Sequence, residues 1–294
     1  MNTNKTELPR PSSFSGNPLA LPDDLLLSLL ALAQEASEQL LQHYNSAATM
    51  AVDRKVDKSP VTAADRDAHD LILGGLRAIT PEIPVLSEES SAGDIADRRA
   101  WPVCWIVDPL DGTKEFLGGT DEFTINIALV DGHRPILGLI AVPVENCVWL
   151  GLPGVGAWRC PGFLWEQREP LTPMEDRDVD IVRLVASARH HPERVAKLLE
   201  SLRPVAPGIE RINAGSAVKF CALVDGRAEI YPRTSPCCEW DVAAGDALIH
   251  AVGGYLVGRD GEPLKYNDRA ELLVNYFVAG MPQHSAWAQL IEPV

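Results

Sequence analysis

An apolar stripe at helical spacing opens the patterned part of the chain. Leu29, Leu32, Ala33, Ala36, Leu40 and Leu41 recur every three to four positions, which predicts one amphipathic helix over residues 22–45. Pro22, Asp23 and Asp24 suit its start, because proline presets the helical φ and carboxylates meet the positive end of the helix dipole. The apolar run 25–33 imitates a secretory leader, but acids precede it where a leader carries positive charge, so it reads as part of the mature fold. A second helix is predicted over 62–78, with Thr62 and Asp65 as a variant capping box. Pro81 and Pro84 punctuate the chain before a short strand, Val85-Leu86, that ends at Ser87-Glu88-Glu89. Residues 95–100 are polar and read as a loop or short helix. A strand over 103–107 is expected to stop at Asp108-Pro109, since Pro109 has no N–H to continue a ladder.

Residues 123–129 alternate as a half-buried strand does, and Asp131-Gly132 predicts a hairpin turn into 135–142. Residues 148–150 and 156–158 continue an antiparallel series. The stretch 160–180, rich in proline and charge, reads as a domain boundary. Beyond it, strands over 181–186, 209–212, 228–231 and 255–257 alternate with helices over 192–202, 216–224, 241–251 and 283–291, a pattern of α/β type. The expected organisation is therefore a disordered N-terminus (1–19, rich in Pro, Ser and Asn), an α+β domain over 20–165 that carries a site, and an α/β domain over 180–294 that completes it.

Composition narrows the function. The 294 residues include 41 acids against 26 Lys and Arg, a formal charge of −15. Such a balance argues against a nonspecific nucleic-acid binder and against a basic membrane-surface protein. It also predicts repulsion of an anionic substrate unless something local reverses the field. No apolar run approaches the roughly 18–20 residues that span a membrane, so no integral membrane segment is expected. The six cysteines contain no C-x-x-C pair and read as reduced thiols of a cytoplasmic protein, with peripheral attachment to the inner membrane left open. The adjacent pair Cys237-Cys238 admits a redox or metal role, with ordinary packing favoured.

The chemistry concentrates in Trp105–Thr113, where an apolar strand delivers Asp108 and Asp111 onto a turn. Gly112 allows a tight conformation there. Two carboxylates and the Leu110 carbonyl converging on one point are hard oxygens that suit Mg²⁺. The backbone N–H groups of Gly112 and Thr113, at the start of a following helical turn, favour a phosphate. A D-x-x-D pair alone is a common turn, but Glu88-Glu89 ends another strand and Trp240-Asp241 starts a helix.

These segments together resemble the inositol-monophosphatase-like superfamily of Mg²⁺-dependent, Li⁺-sensitive phosphatases. The shared features are Glu88-Glu89, the run W-x-V-D-P-x-D-G-T at Trp105–Thr113, the late Trp240-Asp241, and Pro60–Asp65. Thr113–Phe116, Glu122–Leu129, Gly215–Cys221 and Tyr231-Pro232-Arg233 are most similar to its CysQ-type 3′(2′),5′-bisphosphate nucleotidase branch. The resemblance implies a layered αβαβα sandwich and two Mg²⁺ ions, a third being left open at Glu89. By analogy, Glu88, Asp108 and the Leu110 carbonyl hold the first ion, and Asp108, Asp111 and Asp241 the second. Asp65 and Thr113 resemble the pair that orients and deprotonates the attacking water, with Glu88 beside them. Gly112, Thr113, Ser216, Lys219, Arg233 and Asp241 are candidate substrate-binding residues. Lys219 and Arg233 would take a second phosphate or serve only as surface ion pairs, and Ser216 would share a helix face with Lys219. His190 and His191 are weaker candidates for base or sugar. Ser235–Cys238 departs from the branch pattern and puts the base-binding wall in doubt, and Gly118-Gly119 is looser than a typical basic insertion there.

The expected activity is hydrolysis of the 3′-phosphate of adenosine 3′,5′-bisphosphate to AMP and phosphate, with the sulfated analogue as a further candidate. The alternatives are an inositol monophosphatase or broader sugar-phosphate phosphatase, and a non-catalytic Mg²⁺–nucleotide-binding regulator. The expected partner is a small phosphorylated nucleotide; a homodimer is left open. Six acids assigned to one pocket account for only part of the −15, and bound divalent ions would turn that pocket attractive to phosphate.

Overall fold

The computed structural model describes residues 21–46, 52–54, 60–93, 95–172, 181–187 and 208–281, with Lys197, Glu200, Leu202 and Arg203. The expectations for 1–19, for His190 and His191 and for a helix over 283–291 fall outside these residues. The helix expected over 192–202 is described only at Lys197, Glu200 and Leu202, all helical.

Helix α1 (Asp23–Asn45) carries the predicted stripe, and Leu29, Ala33, Ala36 and Leu40 are buried along it. It is followed by the short antiparallel pair β1 (Val52–Arg54) and β2 (Pro60–Thr62), then by α2 (Ala63–Ile79). Seven strands form the first sheet in sequence order: β3 (Val85–Ser87), β4 (Val103–Asp111), β5 (Thr124–Asp131), β6 (Arg134–Val142), β7 (Cys147–Leu152), β8 (Gly156–Pro161) and β9 (Glu169–Leu171). Only the β3–β4 pairing is parallel; the rest are antiparallel. A six-residue helix, α3 (Thr113–Gly118), lies between β4 and β5. The β5–β6 turn has both linking residues, Gly132 and His133, at positive φ (54° and 69°), the geometry that matches the twist of a hairpin.

Strand periodicity sorts the core into layers. Val103, Trp105 and Val107 face α1 and α2, while Cys104 and Ile106 between them face the opposite layer. That inner layer is α4 (Val218–Val224) and α5 (Ala243–Ala251). Helix α5 seats directly on the sheet, because a Cβ at Gly138 would run into the Ala244 carbonyl oxygen. Behind these helices is a second sheet in the order β11 (Gly208–Asn213), β10 (Ile181–Ala186), β12 (Ile230–Arg233), β16 (Phe277–Gly280), β14 (Tyr255–Val257). Leu202 is buried among residues of its outer face. The layers follow the expected α+β sandwich. A two-stranded piece, β13 (Cys237–Cys238) with β15 (Leu273–Val274), completes the inventory.

Three sequence expectations are corrected, on β4, β5 and Ser216. Strand β4 does not stop at Asp108; it continues through Pro109 to Asp111, and the pairing with β5 shifts between those aspartates. Pro109 is tolerated because it stands in that irregularity, past the end of the β3 pairing. Strand β5 is not half-buried: from Thr124 to Val130 both faces are covered, by α1 and α2 on one side and by α4, α5 and the site on the other. The second sheet is mixed, with β16 antiparallel between β12 and β14. Ser216 stands ahead of α4, with φ 41°, and does not share a helix face with Lys219. Among the described residues, no helix is long and apolar enough to cross a membrane.

Candidate active site

The irregular end of β4 shapes the site. Asp108 pairs with Asn126 and Asp111 with Thr124, so Pro109 and Leu110 form the extra length between them. The Leu110 N–H donates to Asp108 Oδ1 at 3.0 Å, and Thr113 Oγ1 donates to the Leu110 carbonyl at 3.2 Å. That turn brings both aspartates to one side. Gly112 follows at φ 88°, and a Cβ there would lie 2.9 Å from the Glu122 carbonyl oxygen and 3.0 Å from Ser216 Cβ. The position therefore requires glycine for both conformation and space. It leads into α3, as the sequence predicts.

Asp241 reaches the same point from the second half of the chain. It ends a 3₁₀ turn, Glu239–Asp241, and its Oδ2 accepts the Cys238 N–H at 2.8 Å. Asp108, Asp111 and Asp241 each offer a ligand oxygen within 4.8 Å of the others. Glu88, at the end of β3, is not part of that tight set, but its N–H extends the β3–β4 pairing to Val107 O and its charge acts on Asp108. Glu89 beside it is half-buried. Asp65 is buried in the first turn of α2, and its charge too acts on Asp108.

Electrostatics show what the cluster needs. Burial, then Glu88, Asp111 and Asp241, push the Asp108 carboxyl well above the usual carboxylate range. Burial also raises Asp111, opposed by Lys219 and Arg233. Burial and Asp111 push Asp241 up to about 6. Carboxylates that resist ionising together are relieved by a divalent cation, and an all-oxygen donor set fits Mg²⁺. The residues present thus fit the expected metal.

Beside the acids opens a cleft of about 100 Å³, lined by Asp111, Gly112, Ser216, Lys219, Arg233 and Asp241 among others. Six candidate substrate and metal residues from distant parts of the chain therefore share one cavity. Lys219 is 2% exposed, which removes the surface ion-pair reading. Its ammonium donates to the carbonyls of Ser216 and Ala214, and burial, with help from Arg233, lowers its pKa to about 8 against the pull of Asp111. Arg233 ends β12, where the carbonyls of Ser235 and Pro236 accept from its guanidinium at 3.1 and 3.4 Å. Phe220, Tyr231 and Phe277 line an apolar side of the cleft and pack on one another at 5.1–5.8 Å between ring centroids.

Two polar residues at the site escape sequence reasoning. Thr124 and Asn126 are buried on β5, and Asn126 Nδ2 donates to Asp111 Oδ2 at 3.4 Å. The available signal is the register of Phe123–Leu129, whose polar alternate positions point at the site and not at water. Cys237 and Cys238 are free thiols, and burial with the nearby Asp241 charge raises Cys238 to about 12. A neutral thiol there supports packing over redox chemistry.

Comparison with known proteins agrees with this geometry. The 3′(2′),5′-bisphosphate nucleotidase CysQ of Escherichia coli K12 is 39% identical over 249 residues, which is 85% of this chain and 96% of that protein. The crystal structure of CysQ from Bacteroides thetaiotaomicron, described as a bacterial member of the inositol monophosphatase family, is 36% identical with a TM-score of 0.76, covering 90% of this chain and 98% of its own. The extragenic suppressor protein SuhB of Bartonella henselae has the same fold, with a TM-score of 0.70 at 23% identity over 90% of this chain and 96% of its own. The sequence model of the inositol monophosphatase family spans residues 22–291, and with these relatives and the acidic site it shows that the chain belongs to the inositol monophosphatase family.

Proposed function

We propose that this protein is a Mg²⁺-dependent phosphatase that removes the 3′-phosphate of adenosine 3′,5′-bisphosphate, giving AMP and phosphate. The observation that carries this reading is one cleft that Asp111 and Asp241, two acids of the cluster they form with Asp108, share with two cations, Lys219 and Arg233. An acidic site alone suits any phosphate monoester. Two cations in the same cavity suit a substrate with a second phosphate, since arginine holds phosphate bidentately and lysine as a point charge. Relatives named as bisphosphate nucleotidases, at 39% identity over most of the chain, support the same substrate class.

Glu88, Asp108 and the Leu110 carbonyl would hold one Mg²⁺, and Asp108, Asp111 and Asp241 a second. Bound there, Mg²⁺ supplies a water of lowered pKa and neutralises charge on the phosphoryl oxygens. The carbonyl of Leu110 has a lone pair to spare beside the bond from Thr113. The Asp65 carboxylate would accept the proton of the attacking water through Thr113 Oγ1, a hydroxyl-to-carboxylate relay that requires the threonine proton to swing from the Leu110 carbonyl to Asp65. The Gly112 and Thr113 N–H groups orient the phosphate under attack.

Phosphate release measured side by side on adenosine 3′,5′-bisphosphate, inositol 1-phosphate and fructose 1,6-bisphosphate tests the reading. The nucleotide is expected to give the highest kcat/KM. If it is the poorest of the three, the substrate class is wrong and a broader sugar-phosphate activity replaces it.

A further inference from the structure

The polar wall of the cleft has a fixed hydrogen-bond polarity. Thr124 and Asn126 stand two apart on β5, project from the same face and are buried. Asn126 Nδ2 lies 3.4 Å from Asp111 Oδ2. The amide nitrogen is the donor in that contact, so the Asn126 oxygen faces away from Asp111. That oxygen accepts from Thr124 Oγ1 at 3.0 Å. A threonine hydroxyl has a single proton. With that proton committed to Asn126, the 2.8 Å contact between Thr124 Oγ1 and Ser216 Oγ allows one polarity: Ser216 donates. The Ser216 oxygen then has only lone pairs left to offer the cleft it lines.

Ser216 is held hard in this arrangement. Its φ of 41° is in the left-handed region, uncommon for serine and a form of strain found at functional sites. Its carbonyl accepts from Lys219 Nζ, and the following N–H, of Ala217, donates to Asp111. Its Cβ stands 3.0 Å from where a Cβ of Gly112 would be, directly against the turn that carries Asp111.

We propose that Asn126 and Thr124 are positioning residues that make Ser216 an acceptor-only reader of a substrate hydroxyl, on the carbon next to the one that bears the phosphate under attack. This rests on the phosphatase reading above. The phosphate belongs at the acids beside Gly112, and the substrate group nearest to it is the substituent of the neighbouring carbon. A hydroxyl there donates to Ser216. A phosphate, ether or fluorine there sets lone pairs against lone pairs and is disfavoured. The favoured substrate is thus a vicinal diol phosphorylated on one oxygen, and in a 3′-phosphorylated ribonucleotide the group read is the 2′-hydroxyl.

The test compares adenosine 3′,5′-bisphosphate with its 2′-deoxy and 2′-deoxy-2′-fluoro analogues. Wild type is expected to lose at least about tenfold in kcat/KM on both analogues, the worth of one well-placed hydrogen bond in a site built to receive it. Ser216→Ala should bring all three within about twofold of one another. Thr124→Val frees the Ser216 proton, so the fluoro analogue should recover relative to the deoxy one; Thr124→Ser should keep the wild-type order. Calorimetric binding of adenosine 5′-monophosphate and its 2′-deoxy and 2′-fluoro forms should follow the same order without turnover. Wild-type release of no phosphate from the nucleotide, with binding order intact, would overturn the phosphatase reading and leave this one standing. Equal use of the fluoro and hydroxyl substrates by wild type, or wild-type discrimination in Ser216→Ala, overturns the proposal.

Discussion

Replacing Asp241 with asparagine should make the metal-free protein more stable while abolishing its activity. Burial and the Asp111 carboxylate push Asp241 from an ordinary 3.8 up to about 6. At about 1.4 kcal/mol per tenfold change, ionising it in the folded, metal-free chain costs up to about 3 kcal/mol. The sign follows from proton binding. Between 3.8 and about 6 the folded state holds a proton that the unfolded state has released. Stability from this group is therefore full at low pH and is lost as pH rises through about 6. Asparagine stays neutral, and its Oδ1 can still accept the Cys238 N–H that caps the turn. In EDTA at pH 7.5, Asp241→Asn should unfold at a temperature higher by roughly 5–10 °C, and the gain should vanish toward pH 4. Saturating Mg²⁺ should reverse the order, because only the wild-type cluster gains the full binding energy of the ion. Thermal unfolding of both proteins from pH 4 to 8, with EDTA and with Mg²⁺, measures all of this. A variant less stable than wild type in EDTA at pH 7.5, or a gain independent of pH, would refute the claim that burial and the Asp111 charge make ionised Asp241 costly until a cation binds.

Gly112→Ala should lose about 2–4 kcal/mol of stability in urea unfolding and at least about 100-fold in kcat, since left-handed backbone and contacts at 2.9 and 3.0 Å both penalise a Cβ. Asp65→Asn should lower kcat by about 10²–10⁴-fold with the Mg²⁺ concentration dependence unchanged; an altered Mg²⁺ dependence would move Asp65 from the proton relay to the metal. For Lys219, with its pKa lowered to about 8, KM for the bisphosphate should rise as pH climbs past that value and the ammonium loses its charge. Lys219→Met should raise KM about 10–100-fold and leave it flat over the same range; a retained step near pH 8 would assign it to another group.

Much of this molecule was legible in its sequence because the signals are local. The stripe of Leu29, Ala33, Ala36 and Leu40 had to be one face of a helix, and the structure buries those residues along α1. The Gly112 turn was readable from the residue type that its φ requires. Strand order is a different matter. Phe277–Gly280 has no alternation to mark it, yet β16 sits between β12 and β14 in the second sheet. Pro109 was misread as a strand end because a missing N–H matters only where a partner expects it, and the pairing partner is a property of the assembled sheet.

The site divides along the same line. Local turn rules were enough to single out Asp108 and Asp111 as acids that could converge, and the family resemblance added Asp241 and matched all three to a metal-dependent phosphatase. Only the tertiary structure decided that Lys219 is buried beside Asp111, and that Asn126 and Thr124 turn polar groups inward. It also decided that the Ser216 hydroxyl lies 2.8 Å from that of Thr124 and is not paired with Lys219 on a helix face. A residue's type and spacing determine what it can bond. What surrounds it depends on chain a hundred residues away, and that environment sets its charge and its hydrogen-bond polarity.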